Sequence, residues 1–165
     1  EGHDLITPKL EKGPDLFCDA VERFRDEKAK TGKQVKVLLG GWRRQYVMKR
    51  LKEANIQFYY CELPDQKVIN LMYNALDLYV VAARHEGGPQ AIVECACTET
   101  PIISTDVGIA SLVLSSDSIF TPGEELNSKP DVEYAKSQVE KYLMPAGFQP
   151  FVDMFRSLEV KNEKS

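Results

Sequence analysis

The sequence predicts an α/β fold in which a parallel sheet is covered by helices on both faces. Three observations point there. Short apolar runs alternate with longer amphipathic stretches along the chain, the rhythm of strand-helix-strand units. Glycine-containing loops lie at residues 8–14, 40–44 and 84–89, where strand candidates end. Residues 78–108 (LYVVAARHEGGPQAIVECACTETPIISTDVG) lay out one complete unit of strand, glycine loop, helix and strand.

Taken in order, residues 3–8 (HDLITP) are a short strand candidate. A chain that opens directly on a core strand reads as a piece of a longer protein. Pro14 suits the first turn of a helix, which runs to about Lys30 with Leu16, Phe17, Ala20, Val21 and Phe24 at helical spacing. Residues 35–39 (VKVLL) form a buried strand closed by Gly40 and Gly41. Residues 42–54 read as a basic helix with Arg43, Arg44, Lys49, Arg50 and Lys52, and residues 55–60 (NIQFYY) as a strand. Leu63-Pro64-Asp65 begins the next helix, whose apolar side is Val68, Ile69, Leu71, Met72 and Leu76.

Within the central unit, residues 78–83 are a strand. Pro89 opens a helix over 90–99 that turns Ile92, Val93, Ala96 and Cys97 inward, and residues 101–105 return as a strand. One helical turn at 109–114 and a short last strand at 118–121 follow. Amphipathic helices at 132–143 and 148–158 and a polar, frayed tail at 161–165 complete the chain.

The chemistry concentrates in the loop at 84–89. Gly87 and Gly88 let backbone N–H groups approach a ligand with no Cβ in the way. The helix start behind them directs unpaired N–H groups and a partial positive charge at the same spot, which suits phosphate. Glu94, about a turn and a half into that helix, is badly placed for phosphate but can accept hydrogen bonds from sugar hydroxyls, as acidic residues do for ribose in other α/β folds. In open α/β sheets ligands bind at the carboxyl ends of the strands, and the three glycine loops fall on that edge. They bring Lys9, Lys12, Arg43 and Arg44 with them, so the site reads as one for a nucleotide or nucleotide sugar.

Composition narrows the classes. The length of 165 residues fits one domain with a sizeable core. No apolar run is long enough for a membrane helix, and the start has no signal-peptide pattern. Cys18, Cys61, Cys95 and Cys97 lack the spacing of a zinc or redox site. They read as reduced core thiols, hence a cytoplasmic setting and no metal. A net charge of −4 argues against nucleic acid as a partner. The charge is uneven: residues 1–60 carry 13 Lys/Arg against 9 Asp/Glu, and residues 61–165 carry 8 against 16. An anion site should therefore draw its cations from the first part of the chain.

Glu86-Gly-Gly-Pro-Gln-Ala-Ile-Val-Glu94, followed by Pro101-Ile-Ile-Ser-Thr-Asp-Val-Gly108, resembles the E-x7-E region of retaining GT-B glycosyltransferases of the group-four family. Lys12-Gly13 before a helix, residues 35–41, and residues 71–77 leading into the Leu78 strand follow the same family order. The likeness covers about residues 5–125. It implies that residues 1–165 are one Rossmann-like, donor-binding half-domain, the C-terminal part of a two-domain enzyme that transfers a hexose from a nucleotide diphosphate sugar to a glycan, lipid or other acceptor.

By that resemblance Glu94 binds the ribose hydroxyls and Glu86 faces the donor sugar. Gly87 and Gly88, with Pro89 behind them, meet the diphosphate and sugar, and Lys12 neutralises the leaving diphosphate. The base lies near Tyr60 and Cys61, largely against backbone, and Gly41 joins the donor-binding set. Catalysis falls to Glu86 and Lys12, and no cofactor or bound metal is implied. Uridine diphosphate is the commoner nucleotide of the family and guanosine diphosphate its rival. The acceptor domain, and with it any membrane association, belongs to the absent N-terminal part, so the piece alone is expected to be inactive.

The chain departs from the family pattern at two places. Thr7 or Ile6 stands where an arginine usually precedes the lysine, leaving Lys9 or Arg43 to supply a second cation. Ile109-Ala110-Ser111 stands where a glutamate-bearing segment often follows. An inactive nucleotide-sugar-binding or interaction module is therefore the alternative, and a generic doubly wound domain with a structural glycine loop a third. Outside its loop context Glu94 would be a solvated helix residue, and Lys12 fits a solvated loop as well as a phosphate contact. His85 reads as a loop-orienting residue, and Trp42 as packed in a core or crevice rather than stacked on a base.

Overall fold

The computed structural model describes residues 7–162. The strand expected at 3–8 lies mostly outside them, and the two described residues, Thr7 and Pro8, are not in a strand. The first helix, α1 (Pro14–Ala29), is followed by β1 (Lys36–Gly40), α2 (Gln45–Glu53), β2 (Gln57–Cys61) and α3 (Gln66–Asn74). The central unit is β3 (Tyr79–Val81), α4 (Gln90–Thr98) and β4 (Ile102–Ser104), and α5 (Ala110–Val113), α6 (Val132–Val139) and α7 (Gln149–Asn162) complete the order. Among the described residues the strands form two parallel pairs. Lys36 to Gly40 of β1 pair with Gln57 to Cys61 of β2, and Tyr79 to Val81 of β3 with Ile102 to Ser104 of β4.

Alternation along β3 shows why both faces are covered. Tyr79, Val81 and Ala83 enter one apolar cluster with Tyr73 of α3, Ile92, Cys95 and Ala96 of α4, Ala110 and Val113 of α5, and Ala135 and Val139 of α6. Leu78, Val80 and Ala82 point the other way, to Leu16, Phe17 and Phe24 of α1. A strand whose successive side chains are buried on opposite faces must be a continuous apolar run. Phe17 also joins the cluster that α1 and α2 build on β1 and β2, around Cys18, Val37, Leu39, Val47 and Leu51. Helix α1 therefore spans both strand pairs.

Several expectations are corrected. The basic helix begins at Gln45, not Trp42, because Gly41 (φ 99°) and Arg43 (φ 58°) adopt left-handed backbone that cannot continue a helix. Trp42 is not packed away: it is 58% exposed, with the Arg43 guanidinium 4.1 Å from its ring centroid. In α3 Leu71 is 68% exposed, and Tyr73 takes the inward position four residues after Ile69 and three before Leu76. In α4 the inward set is Ile92, Cys95 and Ala96, the i, i+3, i+4 face, and Cys97 is exposed.

The strand expected at 118–121 shrinks to a single parallel bridge, Ser104 to Ile119. Ser118 closes a 3-10 turn in which the Ser118 and Ile119 amides donate to Ser115 O and Ser116 O, so they are not available to a ladder, and the Ser118 hydroxyl bonds Lys129 O and Asp131 N. Helix α6 stops at Val139 and passes into a 3-10 turn. Helix α7 runs through Lys161 and Asn162, where a frayed tail was expected, and residues 163–165 lie outside the described set. Phe151, Met154 and Phe155 of α7 are exposed. Among the described residues no helix is long and apolar enough to cross a membrane.

Candidate functional site

The loop at 8–14 and the loop at 84–89 are far apart in sequence and meet in space. Gly13 (φ 63°) ends the 3-10 turn Leu10–Lys12 and caps α1. It lies so close to the end of β3 that a Cβ there would stand 1.7 Å from the Ala82 carbonyl oxygen. Only glycine allows both the backbone conformation and the approach. The contact is then reinforced by polar groups. Backbone N–H groups of Arg84 and His85 donate to Glu11 O at 2.9 and 3.1 Å. Arg84 forks Asp15, with its Nη1 and Nη2 donating to Oδ1 and Oδ2 at 2.8 and 2.6 Å, and Nη1 also donates to Leu10 O at 2.7 Å. This bidentate pair holds the Asp15 carboxyl below its usual range.

The clamp brings the two candidate catalytic residues together. Lys12 Nζ donates to Glu86 Oε1 at 2.6 Å, with the lysine side chain half exposed and the glutamate about a quarter exposed. Both remain within reach of a ligand from solvent. The pair is a surface one, worth no more than about 1 kcal/mol, so an anion arriving at Lys12 can replace Glu86 at small cost.

Gly87 and Gly88 follow at once. Gly108 (φ 56°) sits against their backbone: a Cβ there would be 2.9 Å from Gly87 C, Gly87 O and Gly88 N. The glycine loop is thus backed by the turn after β4, while a Cβ on Gly87 itself would meet nothing within 4 Å. Its open side is free for a ligand. Pro89 is the residue preceding α4, at φ −61° and ψ 112°, rather than its first helical residue, and no side chain caps the helix. Ile92 N donates to Pro89 O at 3.0 Å, so the first turn of α4 offers the N–H groups of Gln90 and Ala91 to the space beside the glycines. Gly108→Ala is expected to push the loop at Gly87 and Gly88 outward, which amide chemical shifts confined to residues 86–90 would register.

Glu94 lies on α4 and is half-buried. Its Oε2 accepts the Tyr73 hydroxyl at 2.6 Å. Burial first, and then the bond to this carboxylate, push the Tyr73 phenol well above its ordinary range, so it remains a neutral donor. No lysine pairs with Glu94 among the described residues, unlike the solvated-helix reading.

The remaining candidates gather elsewhere. Gly41 N donates to Cys61 O at 3.2 Å, and the Tyr60 hydroxyl to Gly41 O at 3.0 Å, so the ends of β1 and β2 are tied into one ledge. Arg44 Nε donates to Gly40 O at 2.9 Å on the same ledge. Lys9 and Arg43 are exposed, and neither forms an ion pair among the described residues. Arg84, Asp15 and Tyr73 were not singled out from the sequence. Arg84 and Asp15 had a signal, an opposite charge beside each half of the site. Tyr73 had its i+4 spacing from Ile69. Among the described residues no group of three His, Cys, Asp or Glu side chains could hold a metal ion.

The family profile described as Glycosyl transferases group 1 matches residues 5–129. No curated protein sequence matches the chain. Among solved structures, the sucrose-phosphate synthase of Thermosynechococcus elongatus superposes with a TM-score of 0.70 at 15% identity, covering 92% of this chain and 43% of that one. The GtfA/B complex gives 0.65 at 14%, covering 92% and 34%. TarM of S. aureus, solved in complex with UDP, gives 0.62 at 11%, covering 93% and 33%. These likenesses show a fold of parallel strands flanked by helices, that of a GT-B half-domain. The chain spans less than half the length of each of these structures.

Proposed function

The chain belongs to the glycosyl transferases group 1 family, and from that premise we propose that it is the nucleotide-sugar-binding half of a retaining glycosyltransferase of the group-four branch. The observation that carries the reading is the meeting of Lys12 with Glu86 at 2.6 Å beside Gly87 and Gly88 at the uncapped start of α4. A cation, a carboxylate, open backbone amides and a helix N-terminus in one place suit a diphosphate joined to a sugar.

In this reading the diphosphate lies against Gly87, Gly88 and the first turn of α4. Lys12 turns from Glu86 to a phosphate oxygen, and Glu86, so released, accepts a donor-sugar hydroxyl. Glu94 accepts the ribose hydroxyls through the carboxylate oxygen that Tyr73 leaves open, and the base rests on the ledge of Gly41, Tyr60 and Cys61. The bond between the anomeric carbon and the diphosphate breaks, a bond to an acceptor hydroxyl oxygen forms on the same face of the sugar, and that hydroxyl's proton passes to the departing diphosphate. Charge builds on the departing diphosphate, where Lys12 and the α4 dipole stabilise it without a bound metal. Lys9 and Arg43 are the cations free to supplement Lys12. UDP is the favoured nucleotide, supported by the UDP complex of TarM. The acceptor site belongs to an N-terminal domain outside this sequence, and the exposed apolar residues of α7 suit a contact of that kind. Under this reading the protein works in the cytoplasm, and any membrane contact runs through that domain.

Calorimetric titration with UDP and GDP, with and without magnesium, tests the reading. Saturable, metal-independent binding that Glu94→Ala weakens at least tenfold is the expected result. Binding that Glu94→Ala leaves unchanged would sink the assignment. Glu86→Gln is expected to tighten UDP itself by up to about fivefold, because Lys12 no longer has a competing carboxylate and the exposed pair is worth about 1 kcal/mol at most. The second reading, a binding module without transfer, rests on Thr7 and Ile6 standing where the family has an arginine. It predicts the same titration but no sugar transfer by the full-length protein.

A further inference from the structure

Tyr73 is buried, 8% exposed, and belongs to none of the loops that form the candidate site. Its position is nonetheless fixed at both ends, by Glu94 of α4 and by Thr100, two residues past the end of that helix. The hydroxyl donates to Glu94 Oε2 at 2.6 Å. At the other end, Thr100 Oγ1 donates to the Tyr73 carbonyl at 3.0 Å, and Thr100 Oγ1 lies 2.8 Å from Thr98 Oγ1. Thr98 Oγ1 in turn donates to the Glu94 carbonyl at 2.8 Å. Thr98 and Thr100 have one hydroxyl proton each, so two of these three contacts are made at a time, and the tie to the Glu94 side chain itself is the Tyr73 phenol. Tyr79 packs on the Tyr73 ring, with centroids 5.6 Å apart at 46°, so the phenol has little room to swing.

We propose that Tyr73 is a positioning residue for the candidate ribose site, holding the Glu94 carboxylate in one orientation so that Oε1 is presented to the sugar hydroxyls before ligand arrives. The inference rests on the proposed function and extends it to a residue outside the motif. A glutamate side chain rotates broadly about its terminal torsion, and a ligand that must itself order the carboxylate loses affinity. The bond from the Tyr73 hydroxyl, with its ring held against Tyr79, removes that disorder in advance. Among the described residues no hydrogen bond reaches Oε1, while the phenol satisfies Oε2. A carboxylate oriented in this way serves hydroxyl donors and offers nothing to the phosphates.

Tyr73→Phe keeps the ring and removes only the donor. UDP and 2′-deoxy-UDP are titrated by calorimetry into the wild-type chain, Tyr73→Phe and Glu94→Ala, with GDP and its 2′-deoxy analogue alongside and melting curves for each protein. The expected result is a roughly tenfold loss of ribonucleotide affinity in Tyr73→Phe, a clearly smaller loss for the deoxynucleotide, and a melting temperature close to wild type. Ribonucleotide binding by Tyr73→Phe within twofold of wild type would overturn the proposal while leaving the Glu94 assignment in place. Equal losses for ribo- and deoxynucleotide would also overturn it, because general damage to the fold does not distinguish one hydroxyl. Failure of the wild type to bind any of these nucleotides, or binding indifferent to Glu94→Ala, would overturn the functional reading and this inference together.

Discussion

Gly13→Ala is expected to cost at least about 4 kcal/mol and to lower the melting temperature by roughly 10 °C or more. The added Cβ would stand 1.7 Å from the Ala82 oxygen, 2.6 Å from the Ala82 carbonyl carbon and 3.2 Å from the Ala83 Cα. All three are backbone atoms of the segment ending β3, so no rotamer change relieves the clash. Either the loop lifts away from β3 or the strand end moves, and both separate Lys12 from Glu86. Gly32 provides the control. It has a similar backbone conformation (φ 72°), yet nothing lies within 4 Å of its virtual Cβ. Gly32→Ala should lose only the cost of a left-handed alanine, about 1 kcal/mol. Equal melting temperatures for the two variants in thermal denaturation would show that the close approach at Gly13 is not what the residue is for.

Arg23→Ala is expected to cost about 3–5 kcal/mol at neutral pH, with a pH dependence opposite to that of the wild type. The Glu125 side chain is fully buried, and its Oε1 accepts a hydrogen bond from Arg23 Nε on α1 while Oε2 accepts one from Gly123 N at 3.0 Å. Burial alone would raise this carboxyl, but the bonds from Arg23 and the backbone outweigh it, and the folded-state value lies below the ordinary one. A depressed carboxyl contributes stability that is present above its unfolded value, about pH 4.3, and is lost as pH falls through the lower folded value. Without Arg23 the burial effect dominates and the sign reverses. The folded carboxyl then rises above its unfolded value, and the penalty is full at neutral pH but relaxes on acidification. Urea unfolding at pH 7.5 and 4.5 should therefore show a large deficit for Arg23→Ala at the higher pH and a smaller one at the lower. A deficit independent of pH would mean that Arg23 acts by packing alone.

Much of the fold was legible because the signals that produce helices and strands are local. The apolar run at 78–83 and the glycine-proline break before α4 are readable in sequence, and β3 and α4 lie there. Errors clustered where backbone conformation or a side-chain bond outweighed the local pattern. Left-handed Arg43 delayed α2, a 3-10 turn took the Ser118 and Ile119 amides from the expected strand, and Cys95 rather than Cys97 faced the core. The candidate site was legible as a set of residue types, Lys12, Glu86, Gly87, Gly88 and Glu94, but not as a set of contacts. Lys12 and Glu86 are 74 residues apart, and Arg84 and Asp15 are 69 apart.

Local signals were enough to lay out residues 78–108 as a strand, a glycine loop, a helix and a strand, since spacing, glycine and proline act within a few residues of where they stand. Which groups face each other was settled only by how the chain packs: Lys12 lies against Glu86, Arg84 forks Asp15, and the Tyr73 hydroxyl donates to Glu94. Such pairings depend on how strands and helices from distant parts of the chain are stacked, and that follows from burying whole apolar faces together, which no local pattern of charges records.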